Sequence, residues 1–332
     1  MRPIIDIHCH TAGIGAGNSG CFISPSLRKS WKYRIYLRSF GVREAELLRH
    51  GDQLVLQRLS ASLADSRSVD GAVVLAMDGV LDSRGELDQQ RTEMYIPNQF
   101  LAGAVQQHPN LRFGASINPY RSDAVERLER AAESGAVLLK WLPSIQHIDP
   151  ADQRLTAFYY RLRELGLPLL THTGAEASFT YARNELGDPQ RLQLPLELGV
   201  TVIAAHAAAN GKNGGEHNFA RFLRLCDQYP NLHADISALT QLNRPGQLRR
   251  LLQQHHLHDR LHYGTDMPLT NTPLVSPLGH LTRLPPWKVA QLIRIRNPWD
   301  RDHALKRALG VPDEVFANPV RLLNLKEPVR IF

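Results

Sequence analysis

Histidines at positions 8 and 10 close a short apolar run, Ile4-Ile5-Asp6-Ile7, near the start of the chain. Such a run reads as a buried β-strand. Side chains alternate along a strand, so His8 and His10 point one way and Cys9 the other. Two imidazoles on one face of a strand end can close on a single metal ion. The pair alone is weak, because histidines satisfied within a core are common. Four further residues of ligating type strengthen it, each ending its own apolar run. Val137-Leu138-Leu139 runs into Lys140, and Leu167 to Thr171 runs into His172. Val200 to Ala205 runs into His206, and Arg260 to Thr265 runs into Asp266.

A divalent ion with three or four nitrogen and oxygen ligands and one open position lowers the pKa of bound water from about 15.7 to about 7. Hydroxide is then available at neutral pH. Asp266 beside it can take the water's proton and pass it to a leaving group, with His206 as the alternative base. Histidine and carboxylate ligands suit zinc, and an oxygen-rich set also suits manganese or iron. Lys140 is costly as an ammonium inside such a site. Desolvated and neutral, it can take up CO2 as a carbamate; charged, it binds a substrate carboxylate. Glu176, shortly after His172, is either a substrate contact or a solvated loop charge. Lys212, in Asn210-Gly211-Lys212-Asn213-Gly214-Gly215, could hold an anion together with backbone N–H groups, or the run is a plain turn. Asp6 lies two residues before His8, which puts it on the same face as an orienting partner or a buried structural group. Trp141 reads as packing. His108, His147, His255, His256 and His258 have no partners in the sequence and receive no role.

The elements that must position these residues alternate between strand and helix. Strands begin near Ile4, Ala72, Arg112, Val137, Leu167, Val200, Leu232 and Leu261. Helical periodicity with closing Gly or Pro marks 152–165 and 216–229, and periodicity alone marks 247–258. Eight such units predict a (β/α)8 barrel, whose chemistry lies at the C-terminal strand ends. An open doubly wound sheet would not bring residues from strands one, four, five, six and eight to one point. The chain reads as one domain, residues 1–332. Residues 11–69 form a long insertion after strand one, glycine-rich at first (Gly13, Gly15, Gly17, Gly20), then aromatic, with a helix over 52–64; it is expected over the barrel mouth. The Gly-Ile-Gly-Ala-Gly stretch lacks the helix that a dinucleotide fingerprint needs. Residues 268–332 form a loop and covering helices around 286–296, 299–309 and 313–325.

With 332 residues, 43% of them hydrophobic, the chain can build a large core. No apolar run is long enough to span a bilayer, and strand one starts too early to leave room for a leader. The three cysteines are odd in number and scattered, which predicts a reducing, cytoplasmic setting. The net charge of +7 comes from dispersed arginines without a nucleic-acid-binding pattern. It is compatible with drawing in an anionic small molecule. Neither nucleic acid nor membrane is expected as a partner, and a homo-oligomer is compatible with the sequence.

The ordered set His-x-His, Lys, His, His, Asp resembles the amidohydrolase superfamily. Thr171-His172-Thr173-Gly174 and Gly264-Thr265-Asp266-Met267-Pro268 are similar to its amidohydrolase-2 branch, which holds a lactonase and a decarboxylase. The resemblance covers nearly the whole chain. It implies a TIM barrel in which His8, His10 and Asp266 bind the more buried ion and Asp266 also shuttles a proton. It implies His172 and His206 as further ligands, His206 being a base or substrate contact where only one ion is held. It implies that Lys140 is carboxylated and bridges two ions in binuclear members; many members of the branch lack this lysine and hold one zinc. The function expected is hydrolysis of a C–N or C–O bond in a small amide, lactam, lactone or ester. The first alternative is non-oxidative decarboxylation of an aromatic or unsaturated acid. A TatD-like nuclease ranks lower, because Lys140 stands where that group has a glutamate. A non-catalytic barrel with a fully coordinated metal is the remaining alternative.

Overall fold

The computed structural model describes residues 3–268 and 276–325. One sheet of eight parallel strands holds the chain together, and its strands neighbour one another in chain order. They are β1 (Ile5–His10), β2 (Gly71–Leu75), β3 (Leu111–Ala115), β4 (Ala136–Trp141), β5 (Leu169–His172), β6 (Val202–Ala205), β7 (Leu232–Asp235) and β8 (Leu261–His262). The sheet bends round until its two edges meet. Ile7 N donates to Tyr263 O (3.2 Å), Asp266 N to His8 O (2.8 Å) and His10 N to Met267 O (2.9 Å). The strands read as nearly continuous apolar runs because both of their faces are covered. The fold is therefore the expected (β/α)8 barrel.

Helices pack on the outside with the predicted period. Residues Asn218–Gln228 bury Phe219, Phe222, Leu225 and Cys226 against the sheet. Burial of an aromatic of this size is worth roughly 1.5–3 kcal/mol. That helix begins two residues later than the periodicity suggests, because Glu216–His217 pairs with Lys212–Asn213 in a small antiparallel hairpin. The helix expected over 247–258 stops at Leu252. There His258 Nε2 takes the Leu252 carbonyl at 2.9 Å, and a 3-10 segment, His255–Arg260, follows.

Inside the barrel, Ile5, Ile7, Val73, Leu75, Leu138, Leu170 and Ile203 form an apolar layer. These residues precede the ligating positions on their strands, so they fill the N-terminal end. Leu323, after the last helix Asp313–Leu322, joins this layer with Val320, Leu322 and Leu325 packed against it. The C-terminal helices at Pro286–Ile293, Pro298–Ala308 and Asp313–Leu322 match the sequence reading to within a few residues. The expected loop 268–285 falls partly outside the described residues. Among the described residues, no helix is long and apolar enough to cross a membrane.

The insertion holds more structure than expected. Besides Gln53–Ala64 it contains helices Pro25–Lys29, Trp31–Ser39 and Glu44–His50. Its glycine-rich start folds over the Asp52 carboxylate, which accepts from Ile14 N and Gly15 N (2.9 Å each) and Ser19 Oγ (2.5 Å). A Cβ on Gly13 would sit 2.6 Å from Cys21 Cβ, so a larger residue does not fit there.

Candidate functional site

β1 does not present its histidines by simple alternation. Ile5 and Asp6 pair with Gly71 and Ala72, whereas Cys9 and His10 pair with Val74 and Leu75. β1 thus has one more residue than β2 over the same length. That bulge lets His8 follow Ile7 onto the inner face while Cys9 joins the outer layer. Asp6, expected on the face of His8, is therefore on the opposite one. It accepts from His8 N (2.9 Å), Thr265 N (2.9 Å), Thr265 Oγ1 (2.5 Å) and Trp299 Nε1 (3.1 Å). Burial pushes its carboxyl up to about 6 despite these donors. Asp6 ties the backbone of His8 to the segment that carries Asp266.

At the barrel mouth three donor atoms converge. His8 Nε2 lies 3.2 Å from His10 Nε2 and 3.5 Å from Asp266 Oδ1, and His10 Nε2 lies 3.2 Å from the same oxygen. Asp266 Oδ2 faces His206 Nε2 at 3.8 Å. Lys140 Nζ stands 3.1 Å from His8 Nε2. His206 stacks on His8 with ring centroids 5.1 Å apart, and His172 meets His206 edge-on at 5.3 Å. The six candidate residues thus come from five strand ends to one place. Burial, reinforced by Lys140, lowers the His8 imidazole to about 4. Burial likewise lowers His172 and His206. All three imidazoles are consequently neutral, which is the ligating form. Burial pushes Asp266 up, but His206, the hydrogen bond from His10, and His8 outweigh it and hold its carboxyl well below the usual range. Burial brings the Lys140 amine down to about 8 against the pull of Asp235 and Asp266, so a neutral amine is accessible near neutrality.

A further pair of residues orients this cluster. Asp235, at the end of β7, holds His8 Nδ1 at 2.7 Å through Oδ2 and accepts from His206 N at 2.9 Å through Oδ1. Ser237 Oγ reaches both His8 Nδ1 (3.1 Å) and His206 Nδ1 (2.8 Å). With Nδ1 engaged on both rings, Nε2 is left facing the centre, as in carboxylate–histidine–metal arrangements. His206, Ala207 and Ala208 have φ of 56°, 49° and 50°, a left-handed turn. Each such non-glycine residue costs roughly 1–2 kcal/mol. On β6, Ile203 and Ala205 face inward, so strict alternation would point His206 outward. The left-handed turn brings it to the barrel mouth instead.

The residues fit a divalent ion. His8, His10 and Asp266 offer ligand atoms all within 4.8 Å of one another. His172 Nε2 is buried without a hydrogen-bond partner among the described residues, 3.4 Å from Glu176 Oε2 but outside bonding geometry. A cavity of about 490 Å³ opens above the cluster, lined by His10, Lys140, His172, Glu176, His206 and Asp266. Trp31, Tyr36 and Phe40 of the insertion also line it, so the insertion does lie over the mouth. Tyr36 Oη donates to Ser178 O at 2.9 Å, fastening the insertion to the loop after β5. Glu176 lines the cavity, at one of the two places the sequence left open for it. Lys212 does not: it is exposed in the hairpin, whose geometry accounts for the glycines, and the expectation that it contacts substrate is corrected.

A family model described as amidohydrolase matches residues 5–294. The chain belongs to the amidohydrolase family. No curated protein sequence matches it. Several solved structures share its fold over nearly their whole length. An uncharacterised TIM-barrel protein from Bordetella bronchiseptica is 15% identical with a TM-score of 0.57, covering 97% of this chain and 98% of that one. The apo form of Metarhizium anisopliae IDCase is 13% identical with a TM-score of 0.57, over 98% of each chain. The 5-carboxyvanillate decarboxylase of Sphingomonas paucimobilis is 12% identical with a TM-score of 0.55, over 98% of this chain and 100% of that one.

Asp235, its neighbour Ser237 and Arg244 escaped the sequence reading of this amidohydrolase. Asp235 ends the apolar run of β7 just as the ligating residues end theirs, so the same strand-end signal marks it. Arg244 lies further along in the following loop, where nothing local distinguishes it from the other arginines.

Proposed function

We propose that this amidohydrolase is a metal-dependent hydrolase of a C–N or C–O bond in a small amide, lactam, lactone or ester. The observation that carries the reading is the convergence of His8 Nε2, His10 Nε2 and Asp266 Oδ1, with the other nitrogen of His8 tied to Asp235. Zinc suits this donor set best, and when bound a divalent ion supplies the Lewis acidity that makes water acidic near neutral pH. His8 and His10 would hold it. Asp266 shares in holding it through Oδ1 and keeps Oδ2 toward His206. Its carboxylate is ionised, so it accepts the proton of the attacking water and returns it to the leaving nitrogen or oxygen. His206, fixed through Nδ1, presents Nε2 beside that carboxylate as a second proton acceptor or a substrate contact. His172 and Lys140 complete the ring, Lys140 either as a carbamate or as a cation for substrate. The insertion contributes Trp31, Tyr36 and Phe40 to the cavity wall and narrows its opening to bulk water. A cavity of this volume suits a small molecule and not a nucleic acid duplex.

Non-oxidative decarboxylation of an aromatic or unsaturated acid is the second reading, favoured by cationic Arg244 and Lys140 lining a cavity with aromatic walls. The test is metal analysis of protein purified without chelator, followed by turnover of lactones, amides and aromatic acids. At least one transition metal per chain and hydrolysis without CO2 release are expected. CO2 release from an aromatic acid would install the second reading. Full metal occupancy in a His8→Ala/His10→Ala double variant would discard the metal assignment altogether.

A further inference from the structure

Arg244 lines the same cavity, and the proposed reaction gives it no task. It is 8% exposed, and its Nε is buried with no hydrogen-bond partner among the described residues. Its one side-chain contact among the described residues is Nη1 to Gln241 Oε1 at 3.4 Å. Among the described residues, the other buried cations outside the cluster have close acceptors, Arg301 through the Ile295 carbonyl at 2.8 Å. Arg121 is gripped by both oxygens of Asp78 (2.8 and 2.6 Å), and Lys306 by Asp302 (2.7 Å). A buried guanidinium with a single long hydrogen bond is unfavourable by itself, and its remaining donors are free for a ligand in the cavity. The loop that carries it is fixed in place. Thr240 O accepts from His280 Nε2 at 3.0 Å, and Thr240 Oγ1 meets Ser276 Oγ at 2.9 Å.

We propose that Arg244 is a carboxylate-recognition site, so that the substrate is a monocarboxylate with an apolar body, held by its carboxylate on Arg244 while the scissile bond lies at His8, His10 and Asp266. The proposal deepens the hydrolase reading and rests on it for the position of the reacting bond. The guanidinium fork matches a carboxylate in a bidentate pair. Apolar residues of the same cavity lining, including Trp31, Phe40 and Phe179, favour an apolar or aromatic body. A phosphate monoester fits less well. It carries nearly two negative charges at neutral pH and would meet Glu176 and Asp266 in the same cavity, with Arg244 and Lys140 to offset four negative charges in all. Arg244 lines the cavity together with both of those carboxylates.

The experiment is calorimetric binding of benzoate, benzamide and phenyl phosphate to the full chain, both metal-loaded and chelator-stripped. Benzoate is expected to bind both forms at least tenfold more tightly than benzamide. Arg244→Gln should abolish that preference with metal content unchanged, and Arg244→Lys should keep part of it. Equal affinity of the wild type for benzoate and benzamide would overturn the proposal. So would an undiminished preference in Arg244→Gln, or tighter binding of phenyl phosphate than of benzoate. Should Arg244→Gln fail to fold, the wild-type comparison and Arg244→Lys decide. Metal-free protein that still prefers benzoate through Arg244, and turns over no ester or amide once metal is added, would keep the carboxylate site and sink the hydrolase reading.

Discussion

His8 and His206 each have Nδ1 engaged by the protein and Nε2 facing the site, and this division assigns testable work to single residues. Asp235 fixes His8 through a 2.7 Å contact. Asp235→Asn should weaken metal binding by about 10–100-fold, the usual cost of losing such an orienting carboxylate. Competition with a chelating dye would measure it, and an unchanged affinity would remove Asp235 from the metal's support. Asp266 is asked to ligate and to move a proton, and Asp266→Asn separates the two. Asparagine keeps an oxygen ligand but is no base, so kcat should fall by about 10²–10⁴ while metal content falls less than in His8→Ala. Near-wild-type kcat with metal retained would transfer the base role, to His206 first. For Lys140, the amine lowered to about 8 admits two chemistries. As a carbamate, Lys140→Ala should lose a second ion; as a cation, it should raise KM with the metal count unchanged. Unaltered metal and kinetics would discard both.

At the scale of elements, β8 ends where the C-terminal helix Pro298–Ala308 takes hold of it. Lys306 Nζ donates to Gly264 O (2.7 Å) and Asp302 Oδ2 (2.7 Å), while Trp299 donates to Asp6, which holds Thr265. Asp266 itself has φ of 64°, a conformation that such clamps must maintain. Lys306→Met would leave Asp302 buried without its partner, at a cost of about 3–5 kcal/mol, and a Lys306→Met/Asp302→Leu pair should recover most of it. Denaturant unfolding of the two variants would read this directly; equal stabilities of the single and double variants would contradict it. These anchors also explain what was legible beforehand. Buried parallel strands are continuous apolar runs, and a barrel puts chemistry at their ends, so the fold and the ordered ligating residues could be read locally. The bulge before His8 depends on register with β2, and the left-handed turn at His206-Ala207-Ala208 carries no glycine to announce it. The role of Arg244 depends on what it lacks, a partner, and no local pattern records that. The three extra helices of the insertion are of five, nine and seven residues, too short for periodicity to establish.

At the scale of the molecule, stability is tied to pH by histidines folded into the barrel away from the site. His233 and His262 lie on the inner faces of β7 and β8, since Leu232, Ala234, Leu261 and Tyr263 face the outer layer. His233 Nδ1 and His262 Nε2 are 2.9 Å apart, which requires at least one of them to be neutral. Burial lowers His233 to about 4, with Arg260 acting in the same direction, and lowers His262 well below the ordinary range. In the unfolded chain both take up protons at about pH 6.5. Between about pH 4 and 6.5 the unfolded state therefore binds more protons than the folded one, so stability rises with pH across that window and is lost on acidification through it. Above about pH 7 the pair contributes no further slope. Thermal unfolding of chelator-stripped protein from pH 7.5 to 4.5 should show Tm falling below about 6.5. The buried histidines of the site add to that slope, so His233→Gln isolates the pair. Its stability should depend on pH less steeply than the wild type's, by up to one proton's worth, or about 1.4 kcal/mol per pH unit. Parallel curves for the two proteins would mean that His233 titrates alike folded and unfolded, and that the inward-facing pair is not what acid breaks.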